Sequence, residues 1–239
     1  MIAPLRSIVT YLAVALYVVV IGAPAVLLAI VVRSRSFLYR LGEIGVRLGL
    51  LTSGIRYTVT GGEHIRPDRA SVYAVNHASN VEPPILFLTL RRLFPRLRVL
   101  YKAELRKLPI LTQAFDLAGF VPLERGNRDQ SLPAIERAAE ALRAGNSFLI
   151  FPEGTRSRTG SLLPFKKGGF VMALKAQVPI VPVAIDGAAA AMRKGSPWIQ
   201  PVTVRVSFGE PIPTAGLTID DREKLVATVR GEVERLLNA

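Results

Sequence analysis

An uncharged, apolar segment near the N-terminus constrains the fold of this chain more than any other feature. Residues 7–32 contain no charged side chain. A membrane-spanning helix needs roughly 20 apolar residues, so this segment is long enough to cross a bilayer. A signal peptide is the alternative, because Ala23-Pro24-Ala25 resembles a cleavage site, but the apolar run continues past it to Arg33. The sequence therefore predicts a membrane-anchoring helical segment, which Gly22 and Pro24 would break if it forms a half-inserted hairpin.

The residues after this segment predict its orientation and a second helix. Arg33, Arg35 and Arg40 follow the apolar run, which by the positive-inside rule favours a cytoplasmic C-terminal side. Residues 36–52 carry apolar groups at helical spacing, which fits either a helix packed on the protein or one lying on lipid. We predict two parts, an anchor with an amphipathic helix over 1–52 and a globular domain over 53–239.

Charge and residue usage narrow the possible functions. The formal charge is +13, which implies nucleic acid, anionic membrane lipids or a phosphorylated substrate as partner. The chain has no cysteine, so thiolate nucleophiles and cysteine-ligated metals are excluded. Its two histidines, His64 and His77, make a multi-histidine metal site unfavourable, and we predict neither metal nor cofactor. Nucleic acid is set aside, because the charge is spread along the chain and no recognition motif occurs.

Beyond residue 52, apolar segments typical of strands alternate with helical patterns. This alternation predicts an α/β fold with a mixed, largely parallel sheet flanked by helices, whose ligands bind beyond the carboxyl ends of the strands. The predicted strands lie at 55–59, 71–76, 98–102, 119–126 (a strand running into a polar turn), 147–151, 179–185 and 202–208, and the predicted helices at 83–95, 104–118, 129–144, 169–176 and 220–237.

The turn after the predicted strand 71–76 contains the best candidate for acid–base chemistry. Glu82 precedes a proline, which disfavours helical backbone there, so we expect the next helix to begin at Pro83. In a helix, a spacing of five would put His77 and Glu82 roughly 140° apart, whereas a turn lets them converge. A histidine oriented by a carboxylate can deprotonate a hydroxyl near neutral pH. The other histidine, His64, is expected to be a solvated loop residue.

The turn after the predicted strand 147–151 is basic and contains a glycine. Gly154 permits close approach of the backbone, and Arg156 and Arg158 follow it. Lys166 and Lys167 come soon after. Because guanidinium groups bind phosphate with two parallel hydrogen bonds, this turn is either an anion site or a solvated basic loop.

Four motifs occur in a fixed order along the chain. They are Asn-His-x-Ser-x-x-Glu at 76–82, Gly-Phe-Val-Pro-Leu-Glu-Arg at 119–125, Phe-Pro-Glu-Gly-Thr-Arg-Ser-Arg at 151–158 and Val-Pro-Ile-Val-Pro-Val at 178–183. Over about residues 55–215 the chain resembles the glycerolipid acyltransferase family, specifically the bacterial 1-acyl-sn-glycerol-3-phosphate acyltransferases.

The resemblance implies an activity and partners. A fatty acyl group would pass from acyl-CoA or acyl carrier protein to the sn-2 hydroxyl of lysophosphatidic acid, at a membrane containing anionic lipids. His77 would be the general base, oriented by Glu82, and Lys102 would lie near the reacting centre. Family motifs also match the substrate-binding candidates Arg125, Glu153, Gly154, Thr155 and Arg156, the residues Asn76 and Ser79, which would hold the turn, and Val181, Pro182 and Val183, on a strand that would line the pocket.

One residue departs from the family pattern, because the family usually has aspartate where Glu82 stands. The extra methylene changes how the carboxylate approaches the imidazole and leaves the acceptor open. The same chemistry on another lysolipid or an amino-acid lipid is therefore an alternative. A non-catalytic protein that binds lipid at the membrane surface is a second one, although it does not explain the paired His77 and Glu82.

Overall fold

The computed structural model describes residues 2–124 and 128–239. The helices are α1 (Ile2–Tyr17), α2 (Ala23–Val31), α3 (Arg35–Ser53), α4 (Glu82–Thr89), α5 (Pro109–Ala118), α6 (Arg128–Arg143), α7 (Gly168–Ala176), α8 (Ala188–Ala191) and α9 (Arg222–Leu237). The strands are β1 (Arg56–Thr60), β2 (Val72–Val75), β3 (Leu97–Lys102), β4 (Val121–Leu123), β5 (Ser147–Ile150), β6 (Ile180–Asp186) and β7 (Thr203–Phe208).

The described strands form one seven-stranded sheet in the order β1-β7-β6-β2-β5-β3-β4. Every neighbouring pair is parallel except β6 and β7, which are antiparallel. Parallel neighbours need a crossover connection, and helices supply most of these here. The predicted mixed, largely parallel α/β fold is confirmed, and the strand β2, which leads to His77, lies at the centre of the sheet.

Helix α4 differs from the prediction at both ends. It begins at Glu82 rather than Pro83, and it ends at Thr89, followed by a 3-10 turn at Arg91–Leu93. The preference of a residue before proline for extended backbone is overridden at Glu82, because its side chain accepts two backbone hydrogen bonds from the preceding turn. The segment predicted as one helix over 104–118 consists of a 3-10 segment, Ala103–Lys107, followed by α5, which begins at Pro109.

Apolar side chains cover both faces of the sheet. In β2, Tyr73 and Val75 belong to one core cluster, whereas Val72 and Ala74 belong to the other. Side chains of consecutive strand residues point to opposite faces, so a strand that is apolar throughout is buried on both sides. The turns that carry the candidate residues therefore lie at the ends of strands that are covered on both faces.

The N-terminal segment remains helical through the predicted break. A π-helical stretch, Val18–Gly22, connects α1 to α2, and Pro24 falls in the first turn of α2, where proline is tolerated. Helix α3 then runs back along α1, since the Tyr17 hydroxyl donates to the carbonyl of Leu41 at 2.7 Å. Gly45 allows this approach, because a Cβ there would lie 2.6 Å from the Tyr17 ring.

Helix α3 packs on the globular domain, as one of its two predicted interpretations required. Tyr39 and Leu41 are buried, and the Tyr39 hydroxyl donates to the carbonyl of Leu97 on β3. The Tyr39 ring also lies against Phe87 and Phe94. The division of the chain into parts 1–52 and 53–239 stays a prediction. The contacts of Tyr39 show that these two parts share a hydrophobic core.

Candidate active site

His77 and Glu82 meet in the turn between β2 and α4. His77 Nδ1 lies 2.6 Å from Glu82 Oε2. The other oxygen of Glu82 accepts hydrogen bonds from the backbone N–H groups of Ala78 and Ser79, both at 2.8 Å. The Glu82 side chain is fully buried, so these donors and the positive end of the α4 dipole compensate its negative charge. The predicted convergence of the pair is confirmed.

The contact with Glu82 sets the protonation pattern of the imidazole. An ionised carboxylate only accepts hydrogen bonds, so the proton of neutral His77 lies on Nδ1 and the lone pair on Nε2. The ring stacks on Phe151 with centroids 4.2 Å apart, which fixes its plane. His77 keeps 17% of its side chain exposed. The geometry thus presents an accessible, oriented base.

The backbone of His77 is held from both sides by the turn after β5. Its N–H donates to Glu153 Oε1 at 2.6 Å, and its carbonyl accepts from Ser157 N at 2.7 Å. Glu153 Oε2 accepts from Leu163 N at 3.0 Å. The pKa of Glu153 is raised above its ordinary value, because the effect of burial exceeds the lowering by the two N–H bonds. Both oxygens of this candidate substrate ligand are thus occupied by the backbone, so its contacts are those of a positioning residue.

Residues of the first motif also hold the turn, as predicted. The Asn76 side chain both donates to the carbonyl of Ile185 and accepts from its N–H, at 3.0 and 2.8 Å. The Ser79 hydroxyl donates to the carbonyl of Met192 at 2.7 Å. These bonds attach the turn to β6 and to the segment that follows α8.

The role of Val181, Pro182 and Val183 in lining the pocket stays a prediction. These residues lie within β6, where Val181 and Val183 are buried in the core and pair with β2. None of the three lines the cavity that contains His77. Val181 and Val183 belong to the core cluster on the other face of the sheet from the cavity residues Ile135 and Ile150.

A cavity of about 290 Å³ opens beside His77. Its polar side is formed by Arg156, Lys166 and Lys194, together with Thr155 and Gly154. Its apolar side contains Leu100, Leu123, Ile135, Ile150 and Phe151. Gly154 has φ +69°, a left-handed backbone conformation that favours glycine, and it lies against the end of the Lys166 side chain.

The N-terminus of α7 also faces this cavity through Gly168 and Gly169. The first N–H groups of a helix have no partner within the helix, and the dipole favours an anion there. Together with three cations, this helix end gives the cavity the character of a phosphate site.

The structure does not bring Lys102, Arg158 or Lys167 into this cavity. Lys102, at the end of β3, lies 2.9 Å from Glu104, is half-exposed and does not line the cavity. Lys167 pairs with Glu223, and Arg158 is exposed. The prediction for Arg125 lies outside the described residues.

Lys194 is the cation of this cavity that the sequence did not indicate. It follows α8, far from the four motifs, and its Nζ donates to the carbonyl of Arg156 at 2.7 Å across 38 positions of sequence. Only the sheet topology, which returns the chain after β6 to the same edge, could have indicated it.

A second cavity, of about 610 Å³, lies between the N-terminal helices and α5. Its walls are apolar and include Tyr17, Leu38, Phe87, Ala114 and Phe120. Phe120 packs in one core cluster and Leu123, which lines the first cavity, in the other, so the two cavities lie on opposite faces of the sheet.

The fold is a largely parallel α/β sheet, and the site pairs a histidine with a glutamate beside a cationic cavity. These features are typical of proteins that deprotonate a hydroxyl group of an anionic ligand. The model of the family described as Acyltransferase matches residues 56–186, and the chain belongs to this family.

Comparison with known proteins gives the particular relatives. The chain is 35% identical over 188 residues to a 1-acyl-sn-glycerol-3-phosphate acyltransferase of Limnanthes douglasii, covering 78% of this chain and 65% of the relative. It is 33% identical over 179 residues to the human 1-acyl-sn-glycerol-3-phosphate acyltransferase alpha, covering 74% and 62%. The matches to these relatives thus span somewhat less than two thirds of their length.

A solved structure matches over nearly the whole chain. The 1-acyl-sn-glycerophosphate (LPA) acyltransferase PlsC from Thermotoga maritima superimposes with a TM-score of 0.82 at 28% identity, covering 99% of this chain and 95% of that one. The similarity therefore includes the N-terminal helices as well as the sheet.

Proposed function

We propose that this protein transfers a fatty acyl group from a thioester donor, acyl-CoA or acyl carrier protein, to the sn-2 hydroxyl of 1-acyl-sn-glycerol 3-phosphate, giving phosphatidic acid. The observation that carries the proposal is the 2.6 Å contact between His77 Nδ1 and Glu82 Oε2 beside a cationic cavity. The names of the relatives from Limnanthes douglasii, humans and Thermotoga maritima support the same substrate.

The chemistry follows from the orientation of the imidazole. His77 Nε2 takes the proton of the sn-2 hydroxyl while its oxygen attacks the thioester carbonyl carbon. Glu82 stabilises the imidazolium that results. When the tetrahedral intermediate collapses, the carbon–sulfur bond breaks and the imidazolium returns its proton to the leaving thiolate. The substrate hydroxyl is itself the nucleophile, so no acyl-enzyme forms.

The two cavities suit the two ends of a lipid substrate. Arg156 and Lys166 place positive charge beside His77, where the acceptor phosphate would bind by charge-assisted hydrogen bonds. The apolar cavity offers a wall of aromatic and aliphatic side chains to a hydrocarbon chain. Under this proposal, charge is recognised on one face of the sheet and hydrocarbon on the other.

The N-terminal helices supply the membrane contact in this proposal. Helix residues Ala3–Val31 are apolar and mostly exposed. The segment is tied to the globular domain at Ser7, near its start, where Oγ accepts from Ile199 N at 2.8 Å, and just beyond its end at Arg35 of α3, which donates to the carbonyl of Leu117 at 2.9 Å. A helix tied down at both ends favours insertion into one leaflet of the inner membrane, with the globular domain on the cytoplasmic side.

The activity is tested with oleoyl-CoA and lysophosphatidic acid in membranes that contain the protein. We expect phosphatidic acid from the wild type, and a loss of roughly 10²–10⁴-fold in His77→Ala, the range typical of a lost general base. The matched control is His64→Ala, which removes the other histidine, one in a turn outside the site, and should leave the rate unchanged.

Two outcomes would count against the proposal. Equal rates for His77→Ala and the wild type would exclude His77 as the base. Absence of transfer to any lysophospholipid, with retained lipid binding, would favour a non-catalytic lipid-binding protein.

The depth of the anchor is tested by labelling single cysteines, because the chain has none of its own. Leu5 and Val31 are exposed near opposite ends of the helix, with 65% and 78% of their surface accessible. If the helix lies in one leaflet, Leu5→Cys and Val31→Cys should react with an impermeant maleimide from the same side of the membrane. Reaction from opposite sides would establish a full span instead.

A further inference from the structure

The segment between α8 and β7 connects the candidate active site to the N-terminal helix. On one side, the carbonyl of Met192 accepts from the hydroxyl of Ser79, which lies in the His77 turn. On the other side, the carbonyl of Pro197 accepts from the Tyr11 hydroxyl at 2.5 Å, and Ile199, which is buried, donates to Ser7. Because it is held at both ends, this segment, residues 192–199, can place a side chain in the cavity at a defined position.

Lys194 is the residue that this segment places in the cavity. Its side chain is half-buried and lines the same space as His77, Arg156 and Lys166. Its Nζ donates to the carbonyl of Arg156 at 2.7 Å and lies 3.4 Å from Thr155 Oγ1. An ammonium group has three donors, so a donor remains for a ligand in the cavity.

The cations that line the cavity share one property, the lack of a carboxylate partner among the described residues. Within the described residues, no carboxylate lies at ion-pair distance from Arg156, Lys166 or Lys194. By contrast, Lys167 pairs with Glu223. Like charges that converge without a counter-charge raise the energy of the free protein and are relieved by a bound anion.

We propose that Lys194 binds a phosphate group of a substrate, as a third cation beside Arg156 and Lys166, and that residues 192–199 hold it there by their bonds to Ser79 and to α1. This inference rests on the proposed function, because it concerns the same cavity. The phosphate belongs either to the lysophosphatidic acid acceptor or to the CoA donor, and both present the same chemistry to an ammonium group.

The test compares wild type, Lys194→Met, Lys194→Arg and Arg193→Met in membranes. The KM for lysophosphatidic acid is measured at saturating oleoyl-CoA, and the KM for oleoyl-CoA at saturating acceptor. We expect Lys194→Met to raise one of the two KM values roughly 10- to 100-fold, the loss typical of a charged hydrogen bond, with kcat within about threefold. The affected substrate identifies the source of the phosphate.

Two controls separate binding from a structural effect. Lys194→Arg retains the charge and should recover most of the affinity, and Arg193→Met, which changes an exposed cation of the same segment, should leave both KM values unchanged. A fall in kcat alone, unchanged KM values, or an equal effect of Arg193→Met would overturn the proposal.

The outcome is distinguishable from failure of the proposed function. If the wild type transfers no acyl group, the proposed function fails, and Lys194 is tested by equilibrium binding of lysophosphatidic acid to wild type and Lys194→Met. Equal binding in that assay would overturn the role of Lys194 in binding the acceptor, and the same comparison with CoA would decide the donor.

Discussion

The two cavities differ in how the chain builds them. The cationic cavity is small, about 290 Å³, and is formed by turns at the carboxyl ends of β2 and β5, whose side chains are fixed by hydrogen bonds to the backbone. The apolar cavity is about 610 Å³ and lies between helices, with few polar groups to fix its shape. Under the proposed function, hydrogen bonds fix the groups of the cationic cavity in place, whereas the apolar cavity offers a hydrocarbon chain a surface with few hydrogen-bonding groups.

The largest effect should come from breaking the fixed geometry of the cationic cavity. Replacing Glu82 by Gln keeps its shape, but an amide can donate to Nδ1 and so place the imidazole proton on the wrong nitrogen. We expect kcat to fall on the order of 10³–10⁴-fold. The kcat of Glu82→Asp should lie between those of the wild type and Glu82→Gln, because the shorter side chain no longer reaches both His77 and the backbone N–H groups. The check is kcat of each variant, with thermal unfolding to confirm the fold, and a kcat within threefold of wild type for Glu82→Gln would contradict the proposed role.

The next effect concerns charge in the same cavity. Arg156→Met should raise the KM for lysophosphatidic acid roughly 10- to 100-fold, since a hydrogen bond to a charged group contributes about 1.5–3 kcal/mol. Arg158→Met is the matched control, because Arg158 is exposed and does not line the cavity. Steady-state kinetics with varied acceptor measures both. If the two variants behaved alike, the cavity would not be the phosphate site.

A smaller effect is expected in the apolar cavity. Ala114 is buried in its wall, and Ala114→Phe would fill part of the space. Each buried methylene contributes about 0.8 kcal/mol. We therefore expect the ratio of kcat/KM for short acyl chains to kcat/KM for long ones to rise about tenfold, with binding of the glycerophosphate part of the acceptor unchanged. The measurement is a competition between palmitoyl and lauroyl substrates. Ala144→Phe, at an exposed site, is the control, and an unchanged chain preference in Ala114→Phe would remove the cavity from the proposal.

The smallest effect concerns the wall between the helices. In Gly45→Ala the new methyl group would press on the Tyr17 ring, which lines the apolar cavity, and we expect a loss of about 1–2 kcal/mol in unfolding free energy. Gly231→Ala in α9 meets no atom within 4 Å and should instead stabilise by roughly 0.5–1 kcal/mol. Denaturant unfolding in detergent compares the two, and equal effects would show that the contact at Gly45 is not tight.

The residues of the cationic cavity that lie in contiguous motifs could be predicted from the sequence. The convergence of His77 and Glu82 followed from a strand, a turn and a proline, all within a few positions. The anion-binding character of the turn at Arg156 followed from its composition. The alternation of apolar segments predicted the largely parallel sheet, because a strand buried on both faces has a recognisable pattern.

Features that depend on distant contacts could not be predicted. Lys194 reaches the cavity because the segment after β6 and α8 lies beside the turn that contains Arg156. No local sequence pattern around Lys194 indicates this position. Glu153 belongs to the most specific motif, but its oxygens turn inward to His77 and Leu163, which composition cannot show. The apolar cavity is formed by several helices whose relative positions are set by packing rather than by any one segment.

The burial of Tyr39 limits how this protein can be shortened. One way to obtain a protein that needs no detergent would be to delete residues 1–53. This deletion would remove Tyr39, whose ring packs against Phe87, Phe94 and Phe120 and whose hydroxyl donates to the carbonyl of Leu97. Loss of a buried aromatic residue costs about 3–5 kcal/mol, a large part of the 5–15 kcal/mol that stabilises a typical domain. A water-soluble variant is better sought by replacing the exposed apolar residues of α1 and α2 with polar ones, leaving α3 in place.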